Sequence, residues 1–248
     1  MIRRQFSIFP GIGPARERAI RAAGIADWQQ FLATRSVPRL PERLYRSMLW
    51  QIGEWTAALE REDAGFFART CPQSAHWALF EEFGGDTRYL DIETTGLSRG
   101  RDMVTVVGIH DGDQYEALVS GRGLTAEALA NALGDCKLLV TYFGSAFDVP
   151  FLQAAFPSLC CEFPHFDLCF AGRRVGLRGG LKAIERELGI GRETSIADID
   201  GFEAVRLWHA HERGHPTALQ RLIEYNRADT ENLVRIAPIV YQRLCGVG

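Results

Sequence analysis

Two carboxylates break into an otherwise apolar strand. In Tyr89-Leu90-Asp91-Ile92-Glu93-Thr94-Thr95, Asp91 and Glu93 occupy alternate positions. A strand turns successive side chains to opposite faces, so both acids share one face and Ile92 takes the other. Two further acids stand in similar surroundings: Asp148 in TYFGSAFDVPFL and Asp229 in YNRAD, one helical turn after Tyr225. That spacing puts phenol and carboxylate on one helical face. Acids drawn together in a dry pocket cannot all stay ionised without positive charge beside them. A hard divalent cation such as Mg²⁺ supplies it through oxygen ligands, and a two-ion site is the common device for in-line phosphoryl chemistry. A chain of this kind is expected to set its acids on a sheet with packed helices and to act as a metal-dependent nuclease.

Taken singly, each motif has a plainer reading. A D-x-E pair occurs by chance on exposed strands. Asp148, where a strand runs into a helix, would equally satisfy a helix N-terminus. Tyr225 and Asp229 fit an ordinary helix with a half-buried phenol. Their company favours metal.

The organisation of the chain agrees with an α/β fold behind a small helical module. In residues 1–60, nine arginines face five acids, and the remainder carries the acidic excess of a chain whose net charge is −3. A basic segment joined to an acidic one suits a backbone-gripping module beside a carboxylate-rich one. Helices are expected over PARERAIRAAGI, from Asp27 onward, and over about 41–61, where Leu44, Met48, Ile52, Trp55 and Leu59 recur at spacings of three and four. The pattern decays over 61–73, which reads as a connection. Beyond it, TRYLDIETT, DMVTVVGIHDG, QYEALV and KLLVTYF read as strands, and TAEALANAL, VPFLQAAF, LKAIERELG, GFEAVRLWHAHER and the segment from 217 to 244 as helices. The expected division is a helical module over 1–65 and an α/β domain over 74–248.

Together these strings resemble the RNase H-like 3′–5′ exonucleases known as DEDD after their four acids. Tyr225, four residues before Asp229, resembles the tyrosine subgroup; the histidine subgroup would place His where this chain has Glu224. HWALFEEF, HFDL and GGLKAIERELG extend the resemblance to a bacterial branch whose exonuclease domain follows a short helical segment. The resemblance implies a five-stranded mixed sheet flanked by helices. It also implies two Mg²⁺ or Mn²⁺ ions held by Asp91, Glu93, Asp148 and Asp229, and an attacking water positioned by Tyr225. Substrate contacts are expected from Thr94, Thr95, Gly96, Leu97, Phe147 and Asn226. One departure stands out: the second motif usually reads Tyr-Asn-Gly, and Phe143 replaces its Asn. Loss of that amide would alter nucleotide contacts without removing metal binding.

Other residues have two readings each. His165 and Asp167 would line the groove or serve as turn and cap residues. In GRRVGLRGGLK, Arg174, Arg178 and Lys182 lie among glycines, where guanidinium groups grip phosphates in any sequence or merely face solvent. FPGIGPARERAIRAAGI resembles the hairpin of a helix–hairpin–helix motif, with Gly11, Gly13 and Arg16 placed to meet phosphate, although only nine residues precede Pro10.

The expected partner is nucleic acid, DNA or RNA, entered from single-stranded 3′ ends. A catalytically inactive binding scaffold and a structure-specific endonuclease are the alternatives. No apolar run approaches the roughly 20 residues of a membrane span. The six cysteines show no CxxC pairing. Reduced thiols in a cytoplasmic protein are the expectation.

Overall fold

The computed structural model describes residues 1–193, 196 and 199–246. A short 3₁₀ turn, Ile2–Arg4, leads into helices α1 (Pro14–Ala22), α2 (Trp28–Ala33), α3 (Glu42–Glu60), α4 (Ala64–Thr70) and α5 (Phe80–Phe83). Pro14 opens α1, where a missing N–H costs nothing. Asp27 caps α2 by accepting from the Gln30 N–H at 2.9 Å. α3 buries Tyr45, Met48, Ile52, Trp55 and Leu59 along one stripe. The segment read as a connection contains α4, which Asp63 nucleates by accepting the Phe66 N–H at 2.9 Å. Its seven residues are too few to show a helical period.

The sheet comprises β1 (Thr87–Thr94), β2 (Val104–His110), β3 (Tyr115–Val119), β4 (Leu138–Thr141) and β5 (His165–Asp167). Their order is β3-β2-β1-β4-β5. The first three form an antiparallel meander, and β4 and β5 run parallel to β1. Parallel neighbours need crossovers. These are α6 (Ala126–Leu133) before β4 and α7 (Asp148–Ala155) before β5. α8 (Leu168–Arg174), α9 (Leu181–Leu188), α10 (Gly201–Glu212) and α11 (Ala218–Gly246) complete the chain. This is the expected RNase H-like α/β architecture behind helices.

Alternation along β2 sorts the two faces. Val107 and Ile109 join Leu90 and Ile92 of β1 against α6 and α7. Val106 points the other way, into the layer of Leu222 and Tyr225 on α11. The N-terminal helices do not form a separate core. Phe6, Phe9, Trp28, Phe31 and Trp55 belong to one buried cluster with Leu138 and Val140 of β4, Phe166 of β5, and Leu233, Ile236 and Val240 of α11. Phe67 on α4 meets Phe83 edge-on at 5.9 Å, and Lys137 pairs with both Glu62 and Asp86 across the junction. All six cysteines are free. Among the described residues, no helix is long and apolar enough to cross a membrane.

Gly108 sits opposite Asp91 in the β1–β2 pair. A Cβ there would lie 2.0 Å from Asn226 Oδ1 and 2.7 Å from Thr230 Oγ1. Gly108→Ala is expected to destabilise the fold by about 1–3 kcal/mol, the usual cost of overpacking. Urea unfolding would show it as a lower midpoint with an unchanged slope.

Candidate active site

β1 and α11 meet at the acids. The strand's alternation carries Asp91 and Glu93 to the α11 side, and oxygens of Asp91, Glu93 and Asp229 all lie within 4.8 Å of one another. Asp148 is the first residue of α7, and its carboxylate reaches β1. Its Oδ1 accepts the Ile92 N–H of β1 at 3.1 Å. All four acids line one cavity of about 700 Å³ with Tyr225, Thr94, Thr95, Gly96, Leu97 and Phe147. The Thr94 hydroxyl donates to the Gly96 carbonyl at 2.6 Å, and Thr95 Oγ1 accepts the Met103 N–H at 2.9 Å. Gly96 has no room for a side chain, because a Cβ would stand 2.6 Å from the Asp102 carboxylate. The threonine-glycine string thus builds the turn that forms the cavity wall.

Burial makes this cluster hostile to its own charge. Glu93, Asp148 and Asp229 are buried, and Glu93 Oε1 has no hydrogen-bond partner. Desolvation, followed by the charge of Asp229, holds Asp91 and Glu93 well above the usual carboxylate range. Desolvation likewise pushes Asp148 up to about 7 and Asp229 up to about 6. Converging carboxylates with an orphaned oxygen are the donor set a hard divalent cation requires, so the residues fit such an ion. Burial, with Asp229 next, also raises Tyr225, which stays a neutral phenol at ordinary pH.

Two supports went unseen in the sequence. Arg192 forms an ion pair with Asp229 and a bidentate pair with Glu185, both bonds at 2.6 Å. Asn232 Nδ2 donates to Glu185 at 2.9 Å and completes that chain. Behind Asp91, the Tyr115 hydroxyl donates to Asn226 Oδ1 at 2.8 Å, and Asn226 Nδ2 donates to Asp91 Oδ2 at 2.9 Å. Asn226 is fully buried. It therefore holds Asp91 from behind rather than facing the cavity. Its place one residue after Tyr225 was the available signal; Glu185 lay inside the GGLKAIERELG string, and Arg192 had no signal.

The remaining expected residues lie elsewhere. His165 and Arg174 line a second cavity, of about 350 Å³. His165 is buried between Thr141 Oγ1, 2.8 Å from Nε2, and His76 Nδ1, which accepts its backbone N–H at 2.8 Å. Burial lowers its pKa to about 4. Asp167 is the structural residue of that pair, accepting the N–H groups of Phe143, Ser145 and Cys169. Arg174 donates to the Ser74 carbonyl at 2.8 Å. Arg178 is exposed on the turn before α9. Lys182 sits closer to the acids, with Nζ 5.3 Å from the Tyr225 ring centre and a bond to the Ile199 carbonyl. Gly11 adopts φ +85°, Gly13 is the N-cap of α1, and Arg16 donates to the Gly11 carbonyl at 2.5 Å. None of the three lines the acid cavity.

A sheet of this order with acids on its central strand defines a class, and the family comparison agrees. Residues 88–241 match the model of the RNase H superfamily, and the chain belongs to that superfamily. Among solved structures, it resembles the family B DNA polymerase from the hyperthermophilic archaeon Pyrobaculum calidifontis at 15% identity and a TM-score of 0.52, over 62% of this chain and 24% of the polymerase. The chain thus spans about a quarter of that protein, and the likeness is one of fold. Brucella melitensis NrnC is 27% identical with a TM-score of 0.49, over 66% of this chain and 76% of that one. The Aedes aegypti Nibbler EXO domain is 15% identical with a TM-score of 0.47, over 69% and 85%. No curated protein matches the chain.

Two outcomes follow from the electrostatics. Asp148 and Asp229, at about 7 and 6 in the folded chain, hold protons more tightly than an unfolded aspartate at about 3.9. Their contribution to stability is full below the unfolded pKa and is lost as pH rises through the folded values. Metal-free protein is expected to melt lower near pH 8 than near pH 5, with a smaller difference in Asp148→Asn; a wild-type melting temperature that climbs toward pH 8 would contradict this. Arg192→Met leaves Asp229 and Glu185 buried without a counter-charge and is expected to cost about 3–5 kcal/mol in chemical unfolding.

Proposed function

We propose that the chain is a metal-dependent 3′–5′ exonuclease that hydrolyses phosphodiester bonds of nucleic acid. The observation that carries this reading is the convergence of Asp91, Glu93, Asp148, Asp229 and Tyr225 on one cavity. Asp91, Glu93 and Asp229, with Asp148 lining the same cavity, would hold divalent cation, and the two-ion occupancy by Mg²⁺ or Mn²⁺ follows from the family resemblance. Bound divalent ions supply Lewis acidity that activates water and neutralises phosphate charge.

The chain's own residues account for the rest. Asn226 fixes Asp91, and Arg192 fixes Asp229, so neither carboxylate needs to reorganise when substrate arrives. Tyr225, whose hydroxyl burial makes harder to deprotonate, would orient the attacking water through that hydroxyl or take its proton as general base. Leu97 and Phe202, both largely exposed at the cavity wall, offer apolar contact to the terminal nucleotides. The 3′–5′ polarity rests on the resemblance of the three motifs to the DEDD enzymes.

Single-stranded DNA and RNA oligonucleotides labelled at the 5′ end test the reading. With Mg²⁺ or Mn²⁺, a ladder shortening from the 3′ end is expected, absent in EDTA and reduced by several orders of magnitude in Asp91→Ala and Asp229→Ala. Internal fragments of discrete size would point to an endonuclease, and binding without cleavage to a scaffold. Tyr225→Phe is expected to lower the rate by about a hundredfold or more while retaining metal binding. Unchanged turnover in that variant would remove Tyr225 from the mechanism.

A further inference from the structure

Phe143 is out of place by every rule of folding. Its φ is +65°, a conformation that side chains with a Cβ avoid and that asparagine tolerates best. Asp167 and Thr141 hold the turn there by accepting the Phe143 and Gly144 N–H groups at 2.9 and 3.0 Å. Nothing in that bonding calls for an aromatic side chain. Nor does the ring fill a core, because the residue remains 43% exposed. It lies 5.8 Å from the ring of Phe170, which is equally exposed, and the Arg173 guanidinium stands 5.4 Å over Phe170.

The location gives the pair a use. Phe143 lines the acid cavity and Phe170 lines the neighbouring one, so the two rings form the ridge between them. Among the described residues, seven large hydrophobic side chains are exposed, and Leu97, Phe143 and Phe202 line the acid cavity while Phe170 touches Phe143. Apolar surface gathered at one rim marks a binding edge rather than scattered exposure. Exposed aromatic faces with a guanidinium alongside suit a nucleobase whose phosphates run past positive charge.

We infer that Phe143 and Phe170, flanked by Arg173, form a stacking platform for a nucleobase of a single-stranded nucleic acid whose 3′ end enters the acid cavity. The inference rests on the exonuclease reading and assigns residues that would hold the unpaired strand expected there. A base paired inside a duplex has no free face to offer, so the strand that reaches the platform is unpaired. Stacking is indifferent to base identity, which makes the platform a device for strand state and not for sequence.

Fluorescence anisotropy of labelled oligonucleotides, in EDTA and in Ca²⁺, reads binding without reliance on turnover. A single abasic residue is walked inward from the 3′ end. One position is expected to weaken wild-type binding about tenfold. Phe143→Gly suits the left-handed turn without introducing an amide and should keep the melting temperature, yet weaken the intact oligonucleotide by a similar factor and abolish the abasic penalty. Phe170→Ala should do the same. Wild-type binding that is absent or blind to the abasic position, or variants that bind and discriminate like wild type, would overturn the platform. Position-dependent binding with no metal-dependent cleavage would keep the platform and sink the exonuclease.

Discussion

The site is built around a repulsion. Carboxylates of Asp91, Glu93 and Asp229 are pressed together where water is scarce, and the fold tolerates this only by holding them from behind. Two devices do so. On the strand side, Gly108 leaves space for the Asn226 amide, which grips Asp91 while Tyr115 grips the amide. On the helix side, Arg192 answers Asp229 and is itself secured by Glu185 and Asn232. A buried ion pair rarely stabilises a protein for its own sake. Its value here is that Asp229 stays oriented before any cation or substrate arrives.

Much of this was legible because period and chemistry coincide. Period-two alternation around Ile92 set Asp91 and Glu93 on one face, and the i, i+4 spacing of Tyr225 and Asp229 set phenol and acid on one face of α11. What escaped notice depends on contacts between distant parts of the chain. Arg192 and Glu185 resemble ordinary surface residues of a Gly-rich segment and an amphipathic helix, and only the approach of α9 to α11 gives them a role. α4 was hidden because seven residues carry too little pattern.

Phe143 shows the two levels working together. The sequence marked it as a departure from the Tyr-Asn-Gly string, and the backbone explains why Asn is usual there: the turn needs a left-handed residue. Asp167 shows the reverse. Near a strand end its carboxylate suited both groove and cap, and three accepted N–H groups identify it as the clasp of that turn.

The shared core also has a consequence for the order of folding. Ile2, Phe6 and Phe9 pack in the same cluster as Leu233, Ile236 and Val240, so residues more than 200 positions apart share one core. Closing that loop carries the entropy cost of nearly the whole chain. Phe6, Phe9, Trp28, Phe31 and Trp55 meet one another within the N-terminal segment, and the α11 residues complete the burial of the cluster they belong to. The local aromatic contacts can form ahead of that closure, which α11 then completes.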